Sequence, residues 1–283
     1  MTNGLLVFQS DFGKGDGAVS AMHGVANSVQ LGIPMFEITH QIPQYNIREA
    51  SYRLLQTVSY WPSGTVFVSI VDPGVGSDRR GVVAKTIDNH YIITPDNGTL
   101  THLKQFIEIT DVRVIDESKN RLPNSGESHT FHGRDIFAYT GARLAVGKTT
   151  FEDIGPLVDP ATIVELPLKT STIVDEVITG IIEIIDSPFG NLWTNISRVQ
   201  FRELAKNFGD SFEVSITRDG RTIYNSILKY GRSFADSHIG EPLVYINSLD
   251  NIGIAINQGS FADAYRVRTG TSWEVVIRKA PLN

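Results

Sequence analysis

The 283-residue sequence contains no cysteine. That absence excludes disulfides, thiolate zinc sites, iron–sulfur clusters and a cysteine nucleophile. Long apolar runs are missing as well. VFVSIV at 66–71 falls far short of the roughly 20 residues a membrane-spanning helix needs. The opening stretch, MTNGLLVFQSDFG, has no basic n-region and too short an apolar run for a signal peptide, so a cytoplasmic protein is expected. Positive charge is not in excess. Lys plus Arg number 25 against 31 Asp plus Glu, a net charge of −6, which argues against a nucleic-acid surface built from clustered basic residues. There is no HExxH, no EF-hand loop and no pair of histidines at helical spacing, so no metal site is expected. GxGxxG, Walker and GxSxG patterns are also absent.

What is present is ordinary globular composition, 41% hydrophobic and 20% charged, in a length that fits two domains. In the first half, short apolar runs alternate with helical patterns. Strands are expected at 4–9, 35–39, 65–71, 81–87 and 90–94, and helices at 17–31, 47–60 and 134–147. Val19, Met22, Ala26 and Val29 recur at helical spacing in the first helix, and Ile47, Ala50, Leu54 and Val58 in the second. This alternation predicts an α/β domain with a mainly parallel sheet covered on both faces. A turn-rich segment at 160–175, which holds Pro167, reads as a linker. Beyond it come β-branched runs at 176–185, 211–217, 222–229, 242–247, 252–257 and 272–278, with one helix at about 197–208. Asp219-Gly220 between two of the runs signals a hairpin. The expected organisation is an N-terminal α/β domain over 1–168 and a C-terminal all-β barrel or sandwich over 175–283.

Four loops carry residue types suited to chemistry. SDFGKGDG at 10–17 places Asp11 and Asp16 among glycines after the first strand. A carboxylate at a strand end can accept both hydroxyls of a ribose, but an N-cap with a solvated turn charge uses the same residues. DPGVGSDRR at 72–80 lets Asp72 meet Arg79 or Arg80 across a turn, to hold a polar group or merely to close the loop. In TFHGRD at 130–135, His132 precedes a glycine and a helix start, where a neutral imidazole can orient water or act as base, or simply bond nearby backbone. The other six histidines read as structural, with His40 set apart because it ends a predicted strand. DSPFGNLWTN at 186–195 gathers Asp186, Phe189, Asn191 and Trp193 in one turn, suited to an adenine edge and face or to a core aromatic cluster.

SDFG with its following Asp16, VDPGVGSDRR, TPDNG at 94–98, TFHGRD and SPFGNLWTN, in that order, resemble the S-adenosyl-L-methionine (SAM) hydroxide adenosyltransferase family, relatives of the SAM-dependent fluorinases and chlorinases. The resemblance runs from about residue 4 to about residue 279. It implies an α/β domain joined to a β-barrel, a homotrimer with active sites at subunit interfaces, SAM as substrate and no cofactor. It also implies roles. Asp72, Arg79 and His132 match the family's water-handling triad, and Asp11 the acid that holds the ribose hydroxyls. Asp16 and Asp186 match acids near the methionine ammonium, and Ser248 a residue at its carboxylate. Asn191 matches an adenine-binding residue, while Phe189, Phe234 and Tyr45 border the adenosyl group. Arg80 rivals Arg79, whose offset from Asp72 fits the family better. The fluorinase has a serine and a tyrosine where this chain has Gly133 and His132, an arginine at Leu249, and an extra loop. The implied reaction is therefore attack of water or hydroxide on the 5′ carbon, giving adenosine and methionine. The alternatives are halide transfer, a metal-dependent nucleoside hydrolase suggested by the Asp/Gly loop, and a non-catalytic adenosine or SAM sensor.

Overall fold

The computed structural model describes residues 2–281. The chain divides into two compact units, one ending at Leu166 and the other beginning at Pro167.

The first unit is built on strands β1 (Leu6–Ser10), β2 (Met35–Thr39), β3 (Val66–Ile70), β4 (Gly81–Thr86), β5 (Tyr91–Pro95), β6 (Ile109–Val114) and β7 (Leu157–Val158). They form one sheet in the order β2-β1-β3-β5-β4-β6-β7. The first four in that order are parallel, while β4, β6 and β7 join antiparallel. Helices α1 (Ala18–Val29), α2 (Ile47–Thr57), α3 (Thr101–Phe106) and α4 (Tyr139–Ala145) cover it. Strand side chains alternate between faces, and the core follows that period. Leu6, Phe8, Val66 and Val68 pack with Val19 and Met22 of α1 and Ala142 of α4. Val7, Phe67 and Ile92 pack on the other side with Leu54 of α2 and Leu103 of α3. The near-continuous apolar runs of β1 and β3 thus reflect burial on both faces.

The expected strands and the first two helices are present, within a few residues. The helix expected at 134–147 instead begins as a π-helix, Gly133–Ala138, before α4. Strand β6 and helix α3 carry too few periodic residues to be recognised from the sequence.

The second unit holds strands β8 (Thr172–Val174), β9 (Val177–Asp186), β10 (Asn191–Ser197), β11 (Ser211–Arg218), β12 (Arg221–Tyr230), β13 (Pro242–Ile246), β14 (Asn251–Ile256) and β15 (Trp273–Lys279). The order β9-β10-β14-β13-β12-β11-β15 returns to β9 and closes a seven-stranded barrel, with β8 added to the start of β9. Closure leaves few free edges, which resolves the barrel-or-sandwich alternative. Its core contains Ile178, Leu192, Phe212, Val214, Ile254, Val275 and Ile277, plugged by Phe201 of α5 (Arg198–Leu204) and Phe261 of α6 (Phe261–Tyr265). Asp219 (φ +49°) and Gly220 (φ +77°) are both left-handed, as a tight β11–β12 turn requires. Two local expectations are corrected. Thr172–Val174, inside the expected linker, is a strand. The 186–195 segment is not one turn, because Asn191 and Trp193 lie on β10.

Candidate active site

β3 delivers Asp72 to its C-terminal end, where open parallel sheets present their ligand sites. Two tight turns follow. The Val75 N–H donates to the Asp72 carbonyl at 3.2 Å and the Ser77 N–H to the Gly74 carbonyl at 3.0 Å, which folds Arg79 back over Asp72. Arg79 Nε donates to both carboxylate oxygens, at 2.9 and 3.1 Å, and Nη2 also donates to Oδ2. The same Nη2 lies 3.0 Å from His132 Nδ1. Below, the guanidinium sits 5.1 Å from the ring centre of Phe137, a fully buried side chain of the π-helix. Both charged side chains are nearly buried, at 10% and 6% exposure. This is a fixed, nearly buried acid–guanidinium–imidazole cluster, of the kind that holds one small polar molecule in place.

His132 caps the start of the π-helix, a helix type that concentrates at functional sites. It is buried. Burial first, and then the Arg79 cation, push its pKa below the ordinary histidine value, with Arg121 adding to the effect and Glu117 and Asp72 opposing it. The imidazole is therefore neutral at pH 7.

Arg121 is a member of this cluster that sequence reasoning missed. Its Nη2 donates to Glu117 Oε2 at 2.6 Å and lies 3.5 Å from His132 Nε2. Its Nη1 is buried with no hydrogen-bond partner among the described residues. The only signal in the sequence was the i,i+4 spacing of Glu117 and Arg121.

The rival arginine points elsewhere. Arg80 donates to Asp96 Oδ2 at 3.0 and 2.5 Å and to the Thr162 carbonyl at 2.8 Å. TPDNG is thus partly a structural motif, for Asp96 takes Arg80 and Asn97 Nδ2 donates to the Val71 carbonyl at 2.9 Å, next to Asp72. Asp11 and Tyr45 are brought together: the Tyr45 N–H donates to Asp11 Oδ2 at 2.9 Å, and the Tyr45 ring is exposed. Asp16 Oδ1 accepts the Ala18 N–H at 2.9 Å at the start of α1, as an N-terminal carboxylate does.

On the second unit, Asp186 ends β9 and Asn191 begins β10, and Asn191 Nδ2 donates to Asp186 Oδ2 at 3.3 Å. The turn between them leaves Phe189 exposed. Gly190 there has φ +68°, and a Cβ on it would lie 2.0 Å from Ser260 Oγ. Phe234 is partly exposed and packs 5.0 Å from the Tyr245 ring. Tyr245 accepts Trp193 Nε1–H at 2.9 Å, and burial pushes its phenol up to about 12. Ser248 is exposed in the β13–β14 turn, and among the described residues no hydrogen bond ties it to Asp186 or Asn191. The convergence of His23, Glu37 and His40 is the one group of three metal-ligating side chains among the described residues.

An α/β unit with such a cluster at a parallel strand end, followed by a closed barrel, defines a two-domain class. Its members are recognisable. The model of the SAM hydroxide adenosyltransferase N-terminal domain matches residues 6–155, and that of the C-terminal domain matches 180–274. The chain belongs to the SAM hydroxide adenosyltransferase family. It is 34% identical over 268 residues to an (R)-S-adenosyl-L-methionine hydrolase of Salinispora arenicola, covering 95% of this chain and 96% of that protein. It is 27% identical to a fluorinase of Actinoplanes sp., covering 98% of each. That match runs over 301 positions, more than the 283 residues of this chain, so the fluorinase carries segments this chain lacks. The crystal structure of an uncharacterized conserved protein from Thermotoga maritima superposes with a TM-score of 0.88 at 31% identity, covering 97% of this chain and 100% of that one. No helix among the described residues is long and apolar enough to cross a membrane.

Proposed function

We propose that the protein hydrolyses SAM to adenosine and L-methionine. The observation that carries this reading is the Asp72–Arg79–His132 cluster on a chain 34% identical to a SAM hydrolase. Water attacks the 5′ carbon in line with the carbon–sulfur bond. The O–C5′ bond forms, the C5′–S bond breaks, and the sulfonium sulfur takes the electron pair to become the methionine thioether. One proton of the water is released.

The sulfonium needs no acid to leave, so the difficulty lies with the water, whose pKa is about 15.7 in bulk. Arg79 stabilises developing hydroxide, and the fixed cluster aims it at one carbon. His132 has one lone pair, on Nδ1, and it faces Arg79. That leaves Asp72 as the proton acceptor, with lone pairs beyond those used by Arg79. Asp11 takes the ribose hydroxyls, Asn191 the adenine edge, and Tyr45, Phe189 and Phe234 border the adenosyl group. Asp16, Asp186 and Ser248 serve the methionine end, where two carboxylates suit a cationic substrate. In this reading the protein is a cytoplasmic homotrimer, and no cofactor enters the reaction. The exposure of Tyr45 (68%) and Phe189 (65%), large for ligand-binding aromatics, supports a site completed by a second copy.

The test is incubation of the protein with SAM in H₂¹⁸O, with and without halide and chelator, followed by chromatography and mass spectrometry. Adenosine labelled at the 5′ oxygen, plus unlabelled methionine, is the expected result. A halogenated adenosine, a free base or no product overturns it. Sedimentation equilibrium tests the trimer.

A further inference from the structure

We propose that His23, Glu37 and His40 form a divalent transition-metal site of the zinc class, which braces the Ser10–Gly17 loop. His23 comes from the middle of α1, Glu37 from β2 and His40 from the residue after β2. Because the ligands belong to separate elements, no sequence motif announces them. Glu37 Oε1 lies 3.7 Å from His23 Nε2 and 3.7 Å from His40 Nε2. All three atoms fall within 4.8 Å of one another. Bonds of about 2.0–2.1 Å in tetrahedral geometry bring ligand atoms to roughly 3.4 Å from each other, so an ion requires only a small contraction.

The second observation concerns unmet hydrogen bonding. The His40 side chain is fully buried, and among the described residues its Nε2 has no hydrogen-bond partner. His23 Nε2 is likewise buried with no hydrogen-bond partner among the described residues. Two imidazole nitrogens aimed at one carboxylate oxygen, neither within bonding distance of it, form an unfinished polar centre. A cation finishes it. The outer contacts also fit, for metal-binding imidazoles are oriented through their second nitrogen. His40 Nδ1 lies 2.7 Å from Ser10 Oγ, and Lys14 Nζ holds Glu37 Oε2 at 2.5 Å. Partial exposure of His23 and Glu37 provides an entry path.

Two imidazoles and a carboxylate select zinc, cobalt, nickel or copper over calcium and magnesium, which prefer all-oxygen shells. The site is distinct from the Asp72–Arg79–His132 cluster, yet it touches the loop that carries Asp11. The His40 carbonyl accepts the Gly13 N–H at 2.7 Å, and Ser10 Oγ accepts the Phe12 N–H at 3.2 Å. A bound ion would fix His40, and through it the loop.

The experiment is calorimetric titration of the tag-free, chelator-treated chain with Zn²⁺, supported by the visible spectrum with Co²⁺. One zinc per chain is expected, with tetrahedral cobalt bands and a rise in Tm on adding zinc. His23→Gln and Glu37→Gln each weaken binding at least tenfold and abolish the Tm rise, while His238→Gln leaves both unchanged. Both altered ligands are partly exposed, so the variants are expected to melt like the parent without metal. Absence of saturable zinc binding, or binding that survives undiminished in either variant, overturns the proposal.

Discussion

Arg79 Nη2 lies 3.0 Å from His132 Nδ1, and this contact fixes the histidine's tautomer. A guanidinium has only donors, so Nδ1 must accept, and the proton of the neutral ring sits on Nε2. That N–H faces Arg121 Nη2 at 3.5 Å, another donor, and the two cannot bond to each other. His132 is thereby an acceptor toward Arg79, with no lone pair left on its other ring nitrogen. In the reaction proposed above, it positions, and Asp72 takes the proton.

Asp72→Asn is the direct test of that assignment. The amide keeps the shape but loses the negative charge and one acceptor oxygen for Arg79. A proton acceptor is worth about 10²–10⁴ in rate, so adenosine formation should fall by at least about a hundredfold. Adenosine affinity should change little. Chromatographic turnover and calorimetry read the two effects separately, and turnover at the parent rate would remove Asp72 from the reaction.

His132 should respond differently. Asn at 132 can present an acceptor oxygen near the Nδ1 position, whereas Ala cannot. His132→Asn is therefore expected to retain clearly more activity than His132→Ala. Equal loss in the two variants would mean that the ring itself carries the proton.

The pH dependence follows from the same contacts. Burial, then Arg79, hold His132 below its usual value of 6.5, and only the neutral ring can accept from Arg79. Activity should therefore persist down through pH 6.5 and be lost only as pH falls through the lower, folded value. Over that window the unfolded chain binds a proton that the folded one does not, so stability also declines as pH drops below about 6.5. Arg121→Gln removes one lowering cause and should move the acid limb of kcat/KM upward. Glu117→Gln removes a raising cause and should move it downward. Limbs that move together, or not at all, would contradict the role given to Arg121.

Much of this was legible beforehand. β3 was clear in the sequence because VFVSI is buried on both faces, and β11–β12 because Asp219-Gly220 supplies two left-handed residues. Asp72, Arg79 or Arg80, and His132 stand out because each sits where a strand or helix meets a glycine-bearing loop, while the choice of Arg79 and the grouping of the three came from the family resemblance. Arg121 could not, since its segment has neither apolar period nor motif and its place depends on the tertiary path past His132. His23 and Glu37 are hidden in the sequence for a similar reason. Helical spacing reveals ligands on one helix, and these come from a helix and a strand. The closing strand β10 was hidden by its neighbour, the turn at Phe189-Gly190, whose punctuation masked the short apolar run after it.

That turn yields the last prediction. Gly190 combines φ +68° with a Cβ position 2.0 Å from Ser260 Oγ, a clash with a residue whose own hydroxyl caps α6. Gly190→Ala must shift the turn or the cap, and the left-handed backbone alone costs about 1–2 kcal/mol for a residue with a Cβ. Urea unfolding should show at least that loss. Asn191→Ala, one residue on, removes only a long 3.3 Å hydrogen bond to Asp186 and should leave the unfolding midpoint nearly unchanged. If Asn191 reads the adenine edge, its loss should still weaken adenosine binding roughly tenfold or more, as removal of a paired base contact does. Calorimetry with adenosine on both variants separates the cases. Affinity lost in Gly190→Ala together with stability, but in Asn191→Ala without it, is the expected pattern. Unchanged affinity in Asn191→Ala would place the adenine elsewhere.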